Sequence, residues 1–403
     1  MLWLYNIGIG FYGILVRIFA LFNEKAAFFI NGRKDIFKKI STVIDPEQRH
    51  LWFHFASLGE FEQGRPVMEQ LKARHPEKPI VVTFFSPSGY EIRKNYPLAA
   101  GIFYLPLDSH SNAKKLIAAI NPEIAVFTKY EYWYHYFKAL NEQHIPLYII
   151  SGIFRPEQVF FKWYGGFNRR ILKLVDHFFV QNTESVALLE SMGIDKVSLS
   201  GDTRFDRVAE NASAPKEISV AAQFTQGKPV FIAGSTWPAD EKLIAVLIKA
   251  HPDWKFIIAP HEINEAHIQE IEVLLPGAIR YSDAMHQLDA QVLIINNIGL
   301  LSSLYQYGKM SYIGGGFGVS IHNTLEAAAF GIPVIFGPVY HKFQEAKDMI
   351  ELGAAISIDN AEELQMAFEH FRRHEDAGNL AKTYVSGKVG STAQIVSYME
   401  KKF

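Results

Sequence analysis

Short β-prone runs alternating with helical spacing, repeated in two series, restrict the possible folds of this chain more than any other feature. The first series places strands at Leu51–Phe55, Ile80–Phe84, Ala100–Tyr104, Ile124–Thr128, Pro146–Ser151 and His177–Gln181, with helical patterns between several of them, notably Ser111–Ile120 and Glu184–Met192. That is one doubly wound α/β domain. The polar, turn-rich stretch Asn211–Pro215 then reads as a linker. A second series follows at Pro229–Ala233, Lys255–Ala259, Val292–Ile295, Met310–Ile313 and Pro333–Phe336. At 403 residues the chain exceeds the ceiling of about 250 residues for one core. The expectation is therefore two Rossmann-like domains facing a cleft. The predicted division is a membrane-associating segment over 1–40, an N-terminal domain over 41–206, a C-terminal domain over 207–385 and a closing helix over 386–403.

Composition narrows the chemistry. With 49% apolar and 20% charged residues the chain can bury a large core, which excludes disorder. A net charge of −2, from 40 basic against 42 acidic residues, gives no global field to draw in nucleic acid, so any anionic ligand must meet local cations. The absence of cysteine excludes disulfides, thiolate catalysis and zinc–thiolate sites, and is compatible with a reducing compartment.

Leu2–Phe22 is almost wholly apolar, interrupted by Asn6 and Arg17. It lacks the basic start and small-residue cleavage site of a secretory signal. Its length just suffices to span a bilayer, although Arg17 is costly there unless it snorkels. Lys25, Arg33, Lys34, Lys38 and Lys39 follow, which favours a cytoplasmic location for everything downstream, whether the segment spans or lies in the interface. The alternative is a helix packed on the first domain.

Two corners carry the chemistry. In Leu51–Pro66 an aromatic strand breaks at Ser57-Leu58-Gly59 and gives way to a helix with Val67, Met68 and Leu71 on one face. Open α/β sheets place ligands at such carboxyl ends, and helix starts favour anions. Glu60 in this turn is thus expected to be ionised, with a low pKa and a flat rate through neutral pH, unless it only complements the helix dipole. In the second series, Gly234-Ser235-Thr236 offers hydroxyls and bare backbone to a phosphate. The stretch Tyr312–Pro338 carries glycines at 314, 315, 316 and 318, which permit close approach to a ligand, and Asn323 opens a short helix. It is not the dinucleotide fingerprint, since no helix starts in the required register. Glu326 either accepts hydrogen bonds from ribose hydroxyls or closes a capping box on the Asn323 N–H.

The segments His54-Phe-Ala-Ser-Leu-Gly-Glu60, Ser86-Pro-Ser-Gly89, Pro106-Leu-Asp108, Glu131-Tyr-Trp133, Gly201-Asp-Thr-Arg-Phe-Asp206, Ala233-Gly-Ser-Thr236 and His322-Asn-Thr-Leu-Glu326 occur in one colinear set. The chain thereby resembles the bacterial 3-deoxy-D-manno-octulosonic acid (Kdo) transferases of lipopolysaccharide assembly. The resemblance implies an α/β, GT-B glycosyltransferase at the cytoplasmic face of the inner membrane. Such an enzyme moves Kdo from CMP-Kdo onto lipid IVA with inversion, and needs no metal or cofactor. It implies Glu60 as general base, with Ser57, Gly59 and Glu131 on the acceptor side. Ser235, Thr236, His261, Gly315, Gly316, His322, Asn323 and Glu326 fall on the side that binds CMP. Domain closure is expected to complete the site and exclude water.

The chain departs from the family at three places. Pro260 stands before His261 where many members have a base, Lys129 replaces an acid two places before Glu131, and Ser320-Ile321 replaces a Gly-Gly pair. Cations for the donor's phosphate and carboxylate must then come from elsewhere, with Arg204, His322, His341 and Lys342 as candidates. Glu131 either orients the acceptor or Glu60, or pairs with Lys129 or His135. The aromatic and cationic stretch Phe154–Arg170 suits a membrane interface or a phosphorylated lipid. Two other readings are a nucleotide-sugar epimerase and a non-catalytic, membrane-associated nucleotide-binding protein.

Overall fold

The computed structural model describes residues 1–286 and 288–403. These form two compact units, Met1–Asp206 with Gly390–Phe403, and Arg207–Val389.

The first unit holds β1 (His50–Phe55), β2 (Ile80–Phe84), β3 (Gly101–Tyr104), β4 (Pro122–Thr128), β5 (Leu147–Gly152), β6 (His177–Val180) and β7 (Val197–Leu199). All pair in parallel, in the order β3-β2-β1-β4-β5-β6-β7. Helices cover both faces, so every residue of β1 and β2 is buried, and such strands read as continuous apolar runs rather than alternating ones. On one face Trp52 packs with Phe127 and Tyr136; on the other Phe53 and Phe55 meet Phe61, Val67, Met68 and Leu71 of the helix Leu58–Arg74. Each of those aliphatic side chains contributes about 1.5–3 kcal/mol by leaving water.

The second unit holds β8 (Val230–Thr236), β9 (Lys255–Pro260), β10 (Ile279–Arg280), β11 (Val292–Ile294), β12 (Met310–Ile313), β13 (Val334–Phe336) and β14 (Ala355–Ser357). Its parallel order is β10-β11-β9-β8-β12-β13-β14. In each sheet the connections run one way from the first strand and then return to its other side. That creates switch points at β1/β4 and β8/β12, where open sheets bind ligands.

Two details differ from the sequence reading. Helix Thr203–Ser213 runs through Asn211, so the linker stretch begins inside a helix, and the two units part within it. The closing helix Ser391–Met399 returns to the first unit, burying Ile395, Val396 and Met399 against the cluster of Val67 and Leu71. Asp206 holds its start, accepting hydrogen bonds from the N–H groups of Gly390 (2.6 Å) and Thr392 (2.8 Å).

Candidate functional site

In the first unit, Ser57 leaves β1 in extended conformation and opens the helix Leu58–Arg74, with Gly59 exposed in its first turn. The Ser57 N–H donates to Glu60 Oε2 at 3.1 Å. Beside β1, β4 ends at Thr128, and Lys129 after it, with a φ of 57°, turns the chain so that Glu131 follows at the same switch point. Glu131 Oε2 accepts from Trp133 Nε1 (2.9 Å) and from His54 Nε2 (3.1 Å). His54 is fully buried on β1, and its Nδ1 lies 2.9 Å from Thr83 Oγ1, which also accepts from Trp52 Nε1 at 2.9 Å. A carboxylate only accepts, so the proton on His54 Nε2 faces Glu131, and in the neutral ring Nδ1 accepts from the Thr83 hydroxyl, whose other acceptor, the Phe53 carbonyl, lies farther off at 3.5 Å. Glu131 is thus held by His54 and Trp133, while His135 turns instead to Asn6 Oδ1 at 2.7 Å.

The expected low pKa of Glu60 is overturned. Burial, and next the charge of Glu131, push its carboxyl up to about 7, outweighing the N–H groups of Ala56 and Ser57 and the cation of Lys129. The helix dipole falls off within a turn and is the weaker influence in a half-buried site.

In the second unit, β8 carries a bulge. Gly234 pairs with Ala259 and Thr236 with Pro260, which leaves Ser235 as the extra residue at φ 54°. Ser235 stays at the rim, half-buried. Thr236 turns inward, fully buried, and its hydroxyl donates to Glu241 Oε1 at 2.9 Å; the other oxygen of Glu241 meets His267 Nε2 at 3.0 Å. The Thr236 hydroxyl is therefore committed to the interior and is not offered to a phosphate. The glycines also serve a different purpose from the expected one. A Cβ at Gly314 would lie 2.2 Å from Ser235 O, at Gly315 2.5 Å from Ser320 O, and at Gly316 2.6 Å from Gly337. Their smallness accommodates the protein's own backbone.

His261, His322 and Trp237 come together at the ends of β8, β9 and β12. The Trp237 and His261 rings stack at 4.8 Å and those of His261 and His322 at 4.3 Å, while Trp237 Nε1 donates to His322 Nε2 at 3.2 Å. Burial, with His261 beside it, lowers the pKa of His322 to about 4. At neutral pH it is an uncharged acceptor rather than a cation for the donor. Trp237, His322, Gly315, Phe317 and Val319 line a cavity of about 360 Å³.

Asn323 Oδ1 accepts from the Leu325 N–H (3.1 Å) and its Nδ2 donates to Glu326 Oε1 (3.1 Å), so Glu326 bonds the Asn323 side chain. The charge of Glu326 reaches Tyr305, whose hydroxyl lies against Gly234, and this joins Glu326 to the β8 corner. Of the remaining cationic candidates, Arg204 pairs with Asp202 at 2.7 Å, and His341 and Lys342 are exposed after β13.

Asp240 was missed from sequence. Only 1% exposed, it accepts from Tyr312 Oη (2.7 Å) and from the N–H groups of Trp237 and Gly315 (both 2.9 Å), which ties the helix start to the glycine loop. Its signal was present in Trp237-Pro238-Ala239-Asp240: a proline at the first helical position and an acid at the third.

Two parallel seven-stranded sheets with polar residues gathered at their switch points give the chain the GT-B architecture. The fold is similar to that of the UDP-GlcNAc 2-epimerase of Neisseria meningitidis, with a TM-score of 0.59 at 18% identity over 87% of this chain and 100% of that one. The family profile of the 3-deoxy-D-manno-octulosonic-acid transferases (kdotransferases) matches residues 31–207. The 3-deoxy-D-manno-octulosonic acid transferase of Aquifex aeolicus is 27% identical over 78% of this chain and 83% of its own length. That of Chlamydophila psittaci is 28% identical over 76% of this chain and 74% of its own. The chain is thus similar to the Kdo transferases over about three quarters of its length.

Proposed function

We propose that this protein takes Kdo from CMP-Kdo and places it on lipid IVA, with inversion, at the cytoplasmic face of the inner membrane and without metal or cofactor. The observation that carries the mechanism is Glu60, a carboxyl poised near pH 7 at the β1/β4 switch point. A general base works best when its pKa lies near the working pH. As the acceptor hydroxyl attacks the anomeric carbon of Kdo, its proton passes to Glu60 and the bond to the cytidylate oxygen breaks on the opposite face. Glu131, fixed by His54 and Trp133, stays beside Glu60 and raises its basicity.

The donor side falls to the second unit. Glu326 accepts from the ribose hydroxyls, and the cavity beside Trp237, Gly315 and His322 receives the rest of the nucleotide. Membrane attachment is supported by the helix Leu2–Phe19, apolar and almost wholly exposed. Incubating the protein with CMP-Kdo and lipid IVA and weighing the products tests the reading. Acceptor enlarged by Kdo is expected. Sugar isomerised without transfer, or nucleotide bound with no product, overturns it in favour of an epimerase or a binding protein.

A further inference from the structure

The helix Leu2–Phe19 is apolar around most of its circumference, yet it is fixed along its length to the first unit. Leu2, Tyr5, Ile9, Gly13 and Val16, spaced three or four apart, are its partly or fully buried positions. Tyr5 Oη donates to the buried Asp108 at 2.5 Å, and His135 Nε2 meets Asn6 Oδ1 at 2.7 Å. Gly13 allows contact so close that a Cβ there would lie 2.9 Å from Leu107 Cδ1. A helix docked in this way cannot cross a bilayer without carrying Asp108 and His135 into hydrocarbon. Its 18 residues extend about 27 Å, short of the roughly 30 Å hydrocarbon thickness.

Beside the docked helix lies a cavity of about 620 Å³ lined by Arg17, Arg33, Lys34 and Lys38 against one acid, Asp35. The Arg33 guanidinium donates to the carbonyls of Leu105 (2.8 Å), Phe29 (2.9 Å) and Phe85 (2.7 Å). Among the described residues no carboxylate pairs with any of these four cations.

A second element shows the same character. Trp163 is 90% exposed, flanked by Lys162 and the exposed Tyr164. The tip is built rather than loose: Arg169 Nη1 donates to the carbonyls of Phe160 (2.9 Å) and Lys162 (2.7 Å), and the Gly165 N–H closes on Lys162 O at 2.9 Å. A Cβ at Gly165 would lie 1.8 Å from Val159 O. The helix that follows returns to the first through Phe167, whose ring lies 5.4 Å from that of Tyr5. An indole held out in water by a preorganised turn is an interfacial anchor in form, because its ring has an apolar body and a polar N–H.

We infer that the first unit docks on an anionic phospholipid bilayer with Leu2–Phe19 lying in the plane of the headgroup boundary. The Lys162–Tyr164 tip inserts beside it, and headgroup phosphate sits against Arg17, Lys34 and Lys38. This rests on the proposed membrane location and decides between spanning and lying flat. Amphiphilic elements of this kind bind through buried apolar area together with attraction of cations to anionic lipid.

The cysteine-free chain allows single nitroxide labels on the full protein at Leu4→Cys, Phe11→Cys and Ile18→Cys, all exposed positions. On phosphatidylcholine vesicles containing phosphatidylglycerol, the three labels should report the same shallow depth by oxygen and nickel accessibility. A Phe11 label deepest of the three, near the bilayer centre, overturns the in-plane arrangement while leaving membrane attachment standing. Trp163→Ala with Tyr164→Ala should lower partition onto these vesicles by roughly tenfold, with the acceptor KM in detergent unmoved. Unchanged partition with a raised acceptor KM overturns the anchor and makes the tip an acceptor contact. Failure of the parent chain to bind such vesicles sinks this inference together with the membrane part of the proposed function, whereas the product assay in detergent tests transfer separately.

Discussion

Replacing Glu60 by Gln tests both the chemistry and its electrostatic origin. At pH 8 the parent must keep an ionised carboxylate where the fold has raised the pKa from 4.5 to about 7. That rise converts to roughly 3 kcal/mol, and partial exposure of the side chain discounts it to about 1–3 kcal/mol. A carboxyl whose folded pKa is raised contributes stability that is complete below the unfolded pKa of 4.5 and lost as the pH climbs through about 7. Gln keeps an acceptor for the Ser57 N–H and carries no charge. Glu60→Gln should therefore melt higher than the parent at pH 8, by an amount that shrinks towards zero near pH 4.5. The same variant should bind CMP normally and lose transfer by about 10²–10⁴-fold. The parent rate should rise through pH 7, since only the ionised base accepts the proton. Melting curves and initial rates over the same pH series supply both readouts. A variant less stable than the parent at pH 8, or a parent rate flat from mildly acidic to alkaline pH, refutes the raised pKa; near-normal transfer by Glu60→Gln removes it as the base.

Thr236→Val should destabilise the second unit by about 1–3 kcal/mol, because it takes from Glu241 Oε1 its buried hydroxyl donor and leaves only His267 on the other oxygen, while CMP affinity by calorimetry stays put. A variant that melts normally but binds CMP poorly would return Thr236 to the donor site. Glu326→Gln should weaken CMP binding by roughly 1.5–3 kcal/mol with little change in melting temperature, since an amide oxygen still accepts from Asn323. Loss of stability with normal CMP binding would mark Glu326 as structural. His322, whose pKa falls from 6.5 to about 4 on folding, contributes stability present above pH 6.5 and lost as the pH drops through 4. His322→Phe should flatten that acid limb in a melting series, and an unaltered limb would exclude His322 as its source.

The strands that sequence alone located are those buried on both faces, where helices on either side demand an unbroken apolar run. Those it missed, β7, β10 and β14, have only two or three residues each, include half-exposed positions such as Ser198, Arg280 and Ser357, and pair on one side only. Too little apolar period is left in them to read. At the site, the positions of Ser57 and Glu60 follow from a turn after an apolar strand, which a local reading finds, whereas Glu131 is singled out only by the family resemblance. The protonation of Glu60 does not follow from that turn, because it depends first on burial in the folded unit and then on Glu131 arriving from β4, which chain order alone does not place beside β1. Thr236 was misjudged for a related reason. One extra residue at Ser235 reverses which side chain faces the rim, and a bulge leaves no mark in composition. The ring stack of Trp237, His261 and His322 draws on three strand ends and becomes visible only once β9, β8 and β12 are set side by side.

Glu60 and Asp240 occupy the same place in their sheets, and the contrast between them explains why one acid is poised and the other inert. Each is the third residue of the helix that follows the first strand, and each accepts the N–H of the residue before that helix, from Ser57 at 3.1 Å and from Trp237 at 2.9 Å. A capping acid is the local solution to the unpaired N–H groups at a helix start in both units. Around Asp240 the fold adds two more donors, Tyr312 Oη and the Gly315 N–H, and closes over it. A carboxylate so surrounded spends three of its roughly four acceptor sites on the protein itself. Around Glu60 the fold brings a second carboxylate, Glu131, and leaves part of the side chain in contact with solvent. Like charge and partial burial favour the proton that catalysis must move. Removing the neighbouring charge by Glu131→Gln should lower the pKa of Glu60 and move the rate profile to lower pH, because burial is then opposed by the N–H groups of Ala56 and Ser57 and by Lys129 with no second carboxylate on its side. A profile that stays in place would mean that burial alone sets the pKa, and would restrict Glu131 to holding His54 and Trp133.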